Sequence, residues 1–398
     1  MASALRDASL AAWDNLVALA VARAVDFVVL AGDIYDGEDR GVRAQLRLAR
    51  GLERLSAAGI STFIAHGNHD PLGGYSAIRQ WPAGVHIFGS ERVERRTIER
   101  DGRELAHVYG VSYSQPAVRE NLAAGFSREG GGGLHVGVLH CNVGGSGEHD
   151  AYSPCELADL ERAGMDYWAL GHIHRQTTLP ARGCWAVYSG NTQGRSPKPS
   201  ECGPKGVMIV EADSAGGVRS AEHVPVDAAR FVHDELDVAD VADLSALRAA
   251  LLERAAALRA EHDGRALVIR MTLAGAGPVH ADVRRPGAME ELLAELRREC
   301  EAERPVLYWE GLLDRTRAAL ALDRIAERGD FSADVLAQAR LLSRDPERLD
   351  ELMQAHTAEL KRIPARWTRD LPPADAQAIL DGAMWLALEM LREGEKTE

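Results

Sequence analysis

The chain has 398 residues, a formal net charge of −14, 46% hydrophobic and 27% charged residues, and five cysteines. This composition is ordinary for a cytoplasmic globular protein of two or three domains, and no run approaches the roughly 18 apolar residues of a membrane span. The negative charge disfavours nucleic-acid binding over the whole surface, and the cysteines lack C-x-x-C spacing, which disfavours a structural zinc site.

The first half of the chain alternates between predicted helices and strands. Apolar residues at helical spacing predict helices over 8–23 and 42–57, and apolar runs predict strands over 27–30 and 62–65. This alternation predicts a parallel βαβ unit. Further strands are predicted over 136–139, 167–170, 184–188, 206–211 and 220–225. Together they predict an α/β domain of two sheets flanked by helices, over 1–228.

One short helix in this domain has a cap-like sequence. Ser153 is predicted as its N-cap, Pro154 as its first residue and Glu156 as the residue that closes a capping box. Gly164 is predicted to end it.

The composition changes after residue 228. Two strands and two helices are predicted in a small α+β domain over 229–312, at 229–237, 243–262, 265–274 and 287–302. From residue 313 onward the pattern predicts helix, which gives a C-terminal helical region over 313–398.

Polar motifs follow four of the predicted strands. They are Gly32-Asp33, Gly67-Asn68-His69-Asp70, His140 and Gly171-His172-Ile173-His174. Because parallel strands place their carboxyl ends at one edge of a sheet, we expect these side chains to meet there. The mixture of carboxylate, amide and imidazole suits Mn, Fe, Zn or Co.

This set fits the hydrolysis of a phosphate ester by two divalent metals about 3.5–4 Å apart. Asp33 is the candidate bridging ligand. Asn68, His140 and His172 are the candidate ligands of one metal, and His174 is positioned to bind the other.

Two further roles follow from the same motifs. His69 is predicted to donate a proton to the leaving oxygen or to stabilise its charge, with Asp70 orienting its ring. Asp36 is a candidate for a similar orienting role near Asp33. The stretch after the last motif is basic, with Arg175, Arg182, Arg195, Lys198 and Lys205 against Glu201 alone. It is either a solvated loop or a phosphate-facing rim beside the metals.

The motif series resembles the calcineurin-like metallophosphoesterases, whose pattern is D-x-H, G-D-x-x-D, G-N-H-D/E, H and G-H-x-H. The stretches Tyr188–Arg195 and Gly203–Gly206 are similar to the DNA double-strand-break repair branch, of the SbcD and YhaO type. The resemblance implies an Mn²⁺-dependent exonuclease that partners DNA and an SbcC-like coiled-coil ATPase, with a possible homodimer. Within it, Arg175, Asn191, Arg195 and Lys205 are the predicted substrate-binding residues.

The sequence departs from this family pattern in its first motif, since it contains no Asp-x-His. In the family that motif binds the first metal, so here the first metal would keep only Asp33 and His174. We favour a true start of translation upstream of Met1, with the motif on a central strand encoded there, over the alternative of a genuine loss of the motif.

Three functions stay open at the level of sequence. The first is a metal-dependent phosphodiesterase acting on DNA. The second is a catalytically impaired subunit that binds DNA ends or a partner ATPase. The third is a metallophosphoesterase of small substrates, which the roughly 170 residues after the catalytic domain disfavour.

Overall fold

The computed structural model of the protein describes residues 2–37, 41–74, 77–78, 80–145, 152–360 and 375–397. The chain divides into two compact units. Unit 1 contains Met1–His233, Leu258–Arg270 and Glu299–Glu310, and unit 2 contains Asp234–Ala257, Met271–Arg298 and Gly311–Glu398. The domain boundaries at residues 228 and 312 stay predictions. None of the helices in the described ranges combines the length and apolar composition that a bilayer span requires.

The first sheet of unit 1 is a parallel βαβ unit, as the sequence predicts. Its strands are β1 (Phe27–Ala31), β2 (Ser61–Ala65) and β3 (Val85–Ile87), in the order β1-β2-β3. Helices α1 (Ala2–Ala22) and α2 (Val42–Ala57) flank it. Leucines of α2 at helical spacing pack with α1 side chains and with apolar residues of this sheet in one core cluster.

The second sheet is mixed and has six strands in the order β10-β11-β9-β6-β5-β4. The elements from β4 onward in this domain are β4 (Glu94–Arg100), β5 (Arg103–Gly110), β6 (Leu134–His140), β7 (Asn142–Val143), β8 (Pro154–Cys155), α3 (Leu157–Ala163), β9 (Tyr167–Gly171), β10 (Thr177–Leu179) and β11 (Trp185–Tyr188). Strands β5, β6, β9 and β11 run parallel, so their carboxyl ends lie at the same edge.

The two sheets face each other across a buried apolar layer. Its members come from both sheets and include Phe63, Ala65, Phe88, Val108, Val136, Val138, Tyr167 and Val187. Further apolar clusters lie between the first sheet and its helices, and around α3 and the second sheet. The predicted two-sheet α/β sandwich flanked by helices is therefore confirmed.

Helix α3 begins later in the chain than the sequence predicts. Its N-cap is Glu156, which forms a capping box with Asp159, whereas Ser153 has a positive φ of 41°. The two residues between Ser153 and Glu156 form β8, which pairs with β7, and this pairing excludes them from the helix. Gly164 ends the helix in the left-handed conformation with φ of 74°, as predicted.

The remaining elements of the described ranges follow β11 in the chain. They are β12 (Gly206–Ala212), β13 (Val218–Pro225), β14 (Ala229–Asp237), α4 (Leu244–Glu261), β15 (Ala266–Ala276), α5 (His280–Val283), α6 (Ala288–Glu299), β16 (Leu307–Arg317), α7 (Leu322–Glu327), α8 (Phe331–Ser343), α9 (Pro346–Leu360) and α10 (Ala376–Thr397). The expectation of helix from residue 313 is wrong for 313–317, because these residues continue β16, which lies in the sheet β14-β15-β16.

A groove with a volume of about 1520 Å³ lies in unit 1, and all of β1 lines it together with residues of α1 and β12. Among the described strands, β1 pairs with β2 alone and so forms an edge of its sheet. The central strand that the family resemblance places before β1 is not among the described residues.

Candidate metal centre

Four strand ends bring the predicted ligands together at one edge of the sandwich. Asp33 follows β1, Asn68 follows β2, His140 is the last residue of β6, and His172 follows β9. Ligand atoms of Asp33, His140 and His172 all lie within 4.8 Å of one another. The geometry that the motif order predicts is therefore present for these three residues.

The His140 imidazole is oriented by the main chain of β1. This ring is fully buried, and its Nδ1 lies 2.9 Å from the carbonyl oxygen of Ala31. Because a carbonyl only accepts, Nδ1 carries the proton and Nε2 faces the other candidate ligands. Nε2 lies 2.9 Å from Asn68 Oδ1 and 3.3 Å from Asp33 Oδ2. One nitrogen and two oxygens thus converge on a single point.

Three of the candidate ligands, Asp33, Asn68 and His172, follow a glycine that leaves room for this convergence. A Cβ on Gly32 would lie 2.4 Å from Nδ1 of His140, and one on Gly171 would lie 2.8 Å from the same atom. A Cβ on Gly67 would lie 2.5 Å from Oδ1 of Asp33. The Gly-Asp, Gly-Asn and Gly-His pairs therefore have a steric reason, since any side chain there would displace a ligand.

Two of the candidate ligands have strained backbones. Asp33 has φ of 51° and His172 has φ of 101°, both in the region that favours glycine. Such strain persists where the surrounding contacts hold it, and it is concentrated at functional sites. Burial alone raises the pKa of Asp33, but its contacts with His140 and the hydrogen bond from the His69 backbone N–H leave the pKa below its ordinary value. The carboxylate is thus held in the charged form that a cation needs.

Asp70 braces the site and does not orient His69, which corrects the prediction. Its carboxylate is fully buried and accepts hydrogen bonds from the backbone N–H groups of Gly67, Asp33 and Ile34, at 2.7, 3.1 and 3.0 Å. These bonds tie the loop after β1 to the loop after β2. The imidazole that Asp70 contacts is that of His66, at 3.1 Å from Oδ2, so both carboxylate oxygens are engaged away from the His69 ring.

The carboxylate partner of His69 is Asp36. Its Oδ1 lies 2.9 Å from Nδ1 of His69, and its other oxygen accepts from the guanidinium of Arg195. Burial raises the pKa of Asp36, but the hydrogen bond and charge of Arg195 outweigh burial, so the pKa lies below its ordinary value. His69 is half exposed, and its backbone N–H donates to Asp33 Oδ1 at 2.9 Å. The predicted proton donor therefore lies at the solvent edge of the candidate ligands.

His174 lies outside the compact group of Asp33, His140 and His172. Its Nδ1 is 2.5 Å from Oε1 of Glu201, and its side chain is half exposed. The hydrogen bond with Glu201 raises the pKa of His174. A ligating histidine commonly donates its second ring N–H to a carboxylate, and this pair has that arrangement.

The predicted substrate-binding residues divide into two kinds. Asn191 donates to Oε2 of Glu201 at 2.8 Å, and the half-exposed Arg195 side chain pairs with Asp36. Lys205 is 5% exposed, and its Nζ donates to the carbonyl oxygens of His174 and Ser200. Burial lowers the pKa of Lys205. These contacts give Asn191 and Lys205 bracing positions.

Arg175 is exposed. Arg175 and Arg195 are thus the two predicted substrate-binding residues that present charge to solvent at this edge.

Sequence reasoning missed Glu201 and gave Asp36 only a general role. Glu201 was visible as the single acidic residue in the basic stretch that follows His174. Its isolation among cations was the available signal, because neighbouring positive charges favour contacts with a carboxylate.

The donor set fits a divalent metal. It combines a carboxylate, an amide oxygen and imidazole nitrogens that converge, with glycines that exclude competing side chains. This set contains no thiolate, and it is not the all-oxygen cage that calcium prefers.

The two-sheet sandwich with this strand-end site defines a metallophosphoesterase. A calcineurin-like phosphoesterase family profile matches residues 6–176, and a profile described as the metallophosphoesterase YhaO middle domain matches residues 231–317. The chain belongs to the calcineurin-like metallophosphoesterases, which use divalent metal ions.

Several relatives of known sequence support this assignment. The uncharacterized metallophosphoesterase YhaO of Bacillus subtilis is 36% identical over 310 residues, which cover 78% of this chain and 74% of YhaO. The DNA double-strand break repair protein Mre11 of Thermoplasma acidophilum is 25% identical over 252 residues, covering 56% of this chain and 63% of Mre11. The SbcD component of nuclease SbcCD from Bacillus subtilis is 27% identical over 234 residues, covering 50% of this chain and 59% of SbcD. The chain thus spans less than two thirds of the last two proteins.

Proposed function

We propose that the protein hydrolyses DNA phosphodiester bonds as a metal-dependent exonuclease. The observation that carries the proposal is the convergence of Asp33, His140 and His172, with His69 at the rim beside them. Phosphodiester hydrolysis needs charge stabilisation at the phosphoryl oxygens and a proton for the leaving oxygen. The similarity to proteins described as a nuclease component and as a DNA break repair protein supports DNA as the substrate.

The proposed metal ligands are Asp33, Asn68, His140, His172 and His174, with Asp33 as the bridge between two divalent ions, proposed to be Mn²⁺. Bound there, the ions would supply positive charge to the phosphoryl oxygens and activate the attacking water. The chain's own contribution is to keep Asp33 charged, to keep Nε2 of His140 unprotonated, and to exclude other side chains from the ligand atoms.

His69 is proposed as the residue that protonates the leaving oxygen. Asp36 accepts from its Nδ1, so proton transfer to the leaving group would use Nε2. The charge of Arg195 next to Asp36 keeps that carboxylate ionised. Arg195 and Arg175 are proposed to contact backbone phosphates as they approach the site.

The proposed partners are DNA and an SbcC-like coiled-coil ATPase, and the proposed location is the cytoplasm. The C-terminal region over 313–398 is the proposed docking surface for the ATPase, and a homodimer is part of the same proposal. The similarity to the SbcD component of nuclease SbcCD supports the ATPase partner.

The test uses the full chain with Mn²⁺ on three substrates: end-labelled linear duplex DNA, covalently closed circular DNA, and a small chromogenic phosphodiester. The exonuclease proposal expects cleavage of the linear duplex and little cleavage of the circle. His140→Ala, which removes a candidate ligand, should abolish cleavage. Efficient hydrolysis of the small ester with DNA left intact would establish a small-substrate enzyme instead.

A second candidate is a catalytically impaired subunit that binds DNA ends or a partner ATPase. The position of His174 outside the compact ligand group favours it, because the first metal would then have few ligands. Binding of DNA ends without Mn²⁺-dependent cleavage would support this candidate. Cleavage by the wild-type chain that is lost in His140→Ala would exclude it.

A further inference from the structure

Glu201 is a buried carboxylate between two parts of the candidate site. It ends a short 3-10 helix at Pro199–Glu201 and is only 7% exposed. We infer that Glu201 is a positioning residue that sets the ring of His174 and the loop that carries Arg195. This inference rests on the proposed function, since it assigns Glu201 a role toward the proposed metal ligand His174.

The first carboxylate oxygen determines which nitrogen His174 presents. Oε1 of Glu201 lies 2.5 Å from Nδ1 of His174. A carboxylate with its charge intact only accepts, so Nδ1 must carry the proton and Nε2 is the atom available to a metal. Without this partner, the ring could rotate or carry its proton on Nε2.

The second carboxylate oxygen closes the loop over 191–195. Oε2 accepts from Nδ2 of Asn191 at 2.8 Å and from the backbone N–H of Arg195 at 3.0 Å. The Arg195 side chain in turn pairs with Asp36, which holds His69. Glu201 is therefore connected to both the proposed ligand and the proposed proton donor.

The charge of Glu201 is maintained by these contacts. Burial raises its pKa, but the hydrogen bonds from His174, Asn191 and the Arg195 backbone lower the pKa to about 2. Each of these bonding partners is a donor toward one of the two acceptor oxygens, and the neutral amide of the same size has only one acceptor oxygen. A buried ionised carboxylate with this number of donors is expensive to keep and points to a positional role.

Glutamine is the informative replacement because it keeps the size and one acceptor oxygen. Its amide group must face either His174 or the pair Asn191 and Arg195. In the first orientation it donates to Nδ1 and moves the His174 proton to Nε2. In the second orientation the NH₂ group faces the N–H donors of Asn191 and Arg195, cannot accept from them, and so opens the loop. Either way one of the two functions of Glu201 is lost.

The first measurement is Mn²⁺ affinity by calorimetry and metal content, for wild type and Glu201→Gln. We expect the dissociation constant of the weaker-binding ion to rise about 10- to 100-fold in the variant. The matched control is Glu94→Gln, because Glu94 also pairs with a histidine, His86 at 3.2 Å, and with a backbone N–H, Gly89 at 2.8 Å. The control should bind Mn²⁺ like wild type. Unfolding of the metal-free proteins reports whether either variant is misfolded.

The second measurement needs no metal. Nitrogen-15 NMR of histidine-labelled, metal-free protein reports the His174 tautomer, with His174→Gln identifying its signals. We expect the Nδ1-protonated ring in wild type and a loss of that tautomer preference, or a mixture, in Glu201→Gln. The preference should be unchanged in Glu94→Gln.

The outcomes separate the inference from the proposed function. A Glu201→Gln protein with wild-type affinity and an unchanged His174 tautomer would overturn the inference. Glu201→Gln is also introduced into the His174→Ala variant. If it lowers Mn²⁺ affinity as much there as in the wild-type protein, the inference is overturned, since the effect must pass through His174. A changed tautomer and weaker Mn²⁺ binding, with no cleavage of DNA by wild type, would support the inference and refute the nuclease.

Discussion

Gly67→Ala is the smallest change that should disassemble the candidate metal centre. A Cβ at this position would lie 2.5 Å from Asp33 Oδ1 and 2.8 Å from Cε1 of His140. Gly67 does not need a positive φ, so the substitution introduces a steric conflict without backbone strain. Both neighbours are proposed ligands, and neither is the far end of a long flexible chain.

The size of the effect follows from these distances. To reach an ordinary contact of 3.4 Å the Asp33 oxygen must move by about 0.9 Å. Metal–ligand distances tolerate about 0.2 Å, and a misplacement of about 1 Å at a catalytic site costs about 10²-fold in rate. We therefore expect Mn²⁺ affinity and turnover each to fall by about 10²-fold. Over-packing should cost the metal-free protein about 1–3 kcal/mol of unfolding free energy.

The assay compares Mn²⁺ titrations and metal content of wild type, Gly67→Ala and the control Gly37→Ala. Gly37 is adjacent to the site, but its added Cβ would make only an ordinary 3.9 Å contact with the His69 carbonyl oxygen. Urea unfolding of the chelated proteins separates a local effect from a global one. The reasoning is refuted if Gly67→Ala binds Mn²⁺ like wild type, or if Gly37→Ala loses as much affinity.

Three further predictions concern the proton donor, its partner and acid stability. His69→Ala should keep Mn²⁺ affinity while turnover falls about 10²-fold or more, measured by calorimetry and by DNA cleavage. Asp36→Asn should lower turnover about tenfold with Mn²⁺ content unchanged, because it weakens the contact that orients His69. His107 is buried, and burial followed by the charge of Arg95 lowers its pKa. The unfolded chain therefore binds this proton first as the pH falls below about 6.5, and stability is lost at up to about 1.4 kcal/mol per pH unit. Urea unfolding between about pH 7.5 and 5.5 should show a steeper loss in wild type than in His107→Gln.

Each of these predictions has a contradicting result. An equal loss of metal in His69→Ala would make His69 a ligand or a structural residue. Full activity in Asp36→Asn would show that Arg195 or the backbone positions His69 without Asp36. An identical pH slope in His107→Gln and wild type would show that His107 does not contribute to acid sensitivity.

The main elements of the catalytic domain were predictable because their signals are local. Apolar runs predicted β1, β2, β6 and β9, and each is present with its motif at the carboxyl end. Strands β4 and β5 were missed; β4 lies at the sheet edge, is mostly charged and has no apolar run. The N-terminus of α3 was misplaced because the pairing of β7 with β8 overrides the capping signal of Ser153.

The candidate site shows the same division at the level of single side chains. The sequence indicated which residues meet, since strand order and motif position determine the edge at which Asp33, His140 and His172 lie. It misassigned the carboxylate beside His69, because Asp70 is adjacent in sequence whereas Asp36 is adjacent in space. It also missed Glu201, whose partner His174 is 27 residues away.

The sequence by itself determined the class of fold, the types of the candidate ligands and the edge of the sheet where they meet, because these depend on periodicity and on short motifs. Tertiary structure decided which nitrogen of His140 faces the ligands, which carboxylate holds His69 and which residue orients His174. These choices depend on hydrogen bonds between loops that are distant in the chain, such as the bond from His140 to Ala31. Such bonds form only when the two sheets pack, so no local pattern in the sequence encodes them.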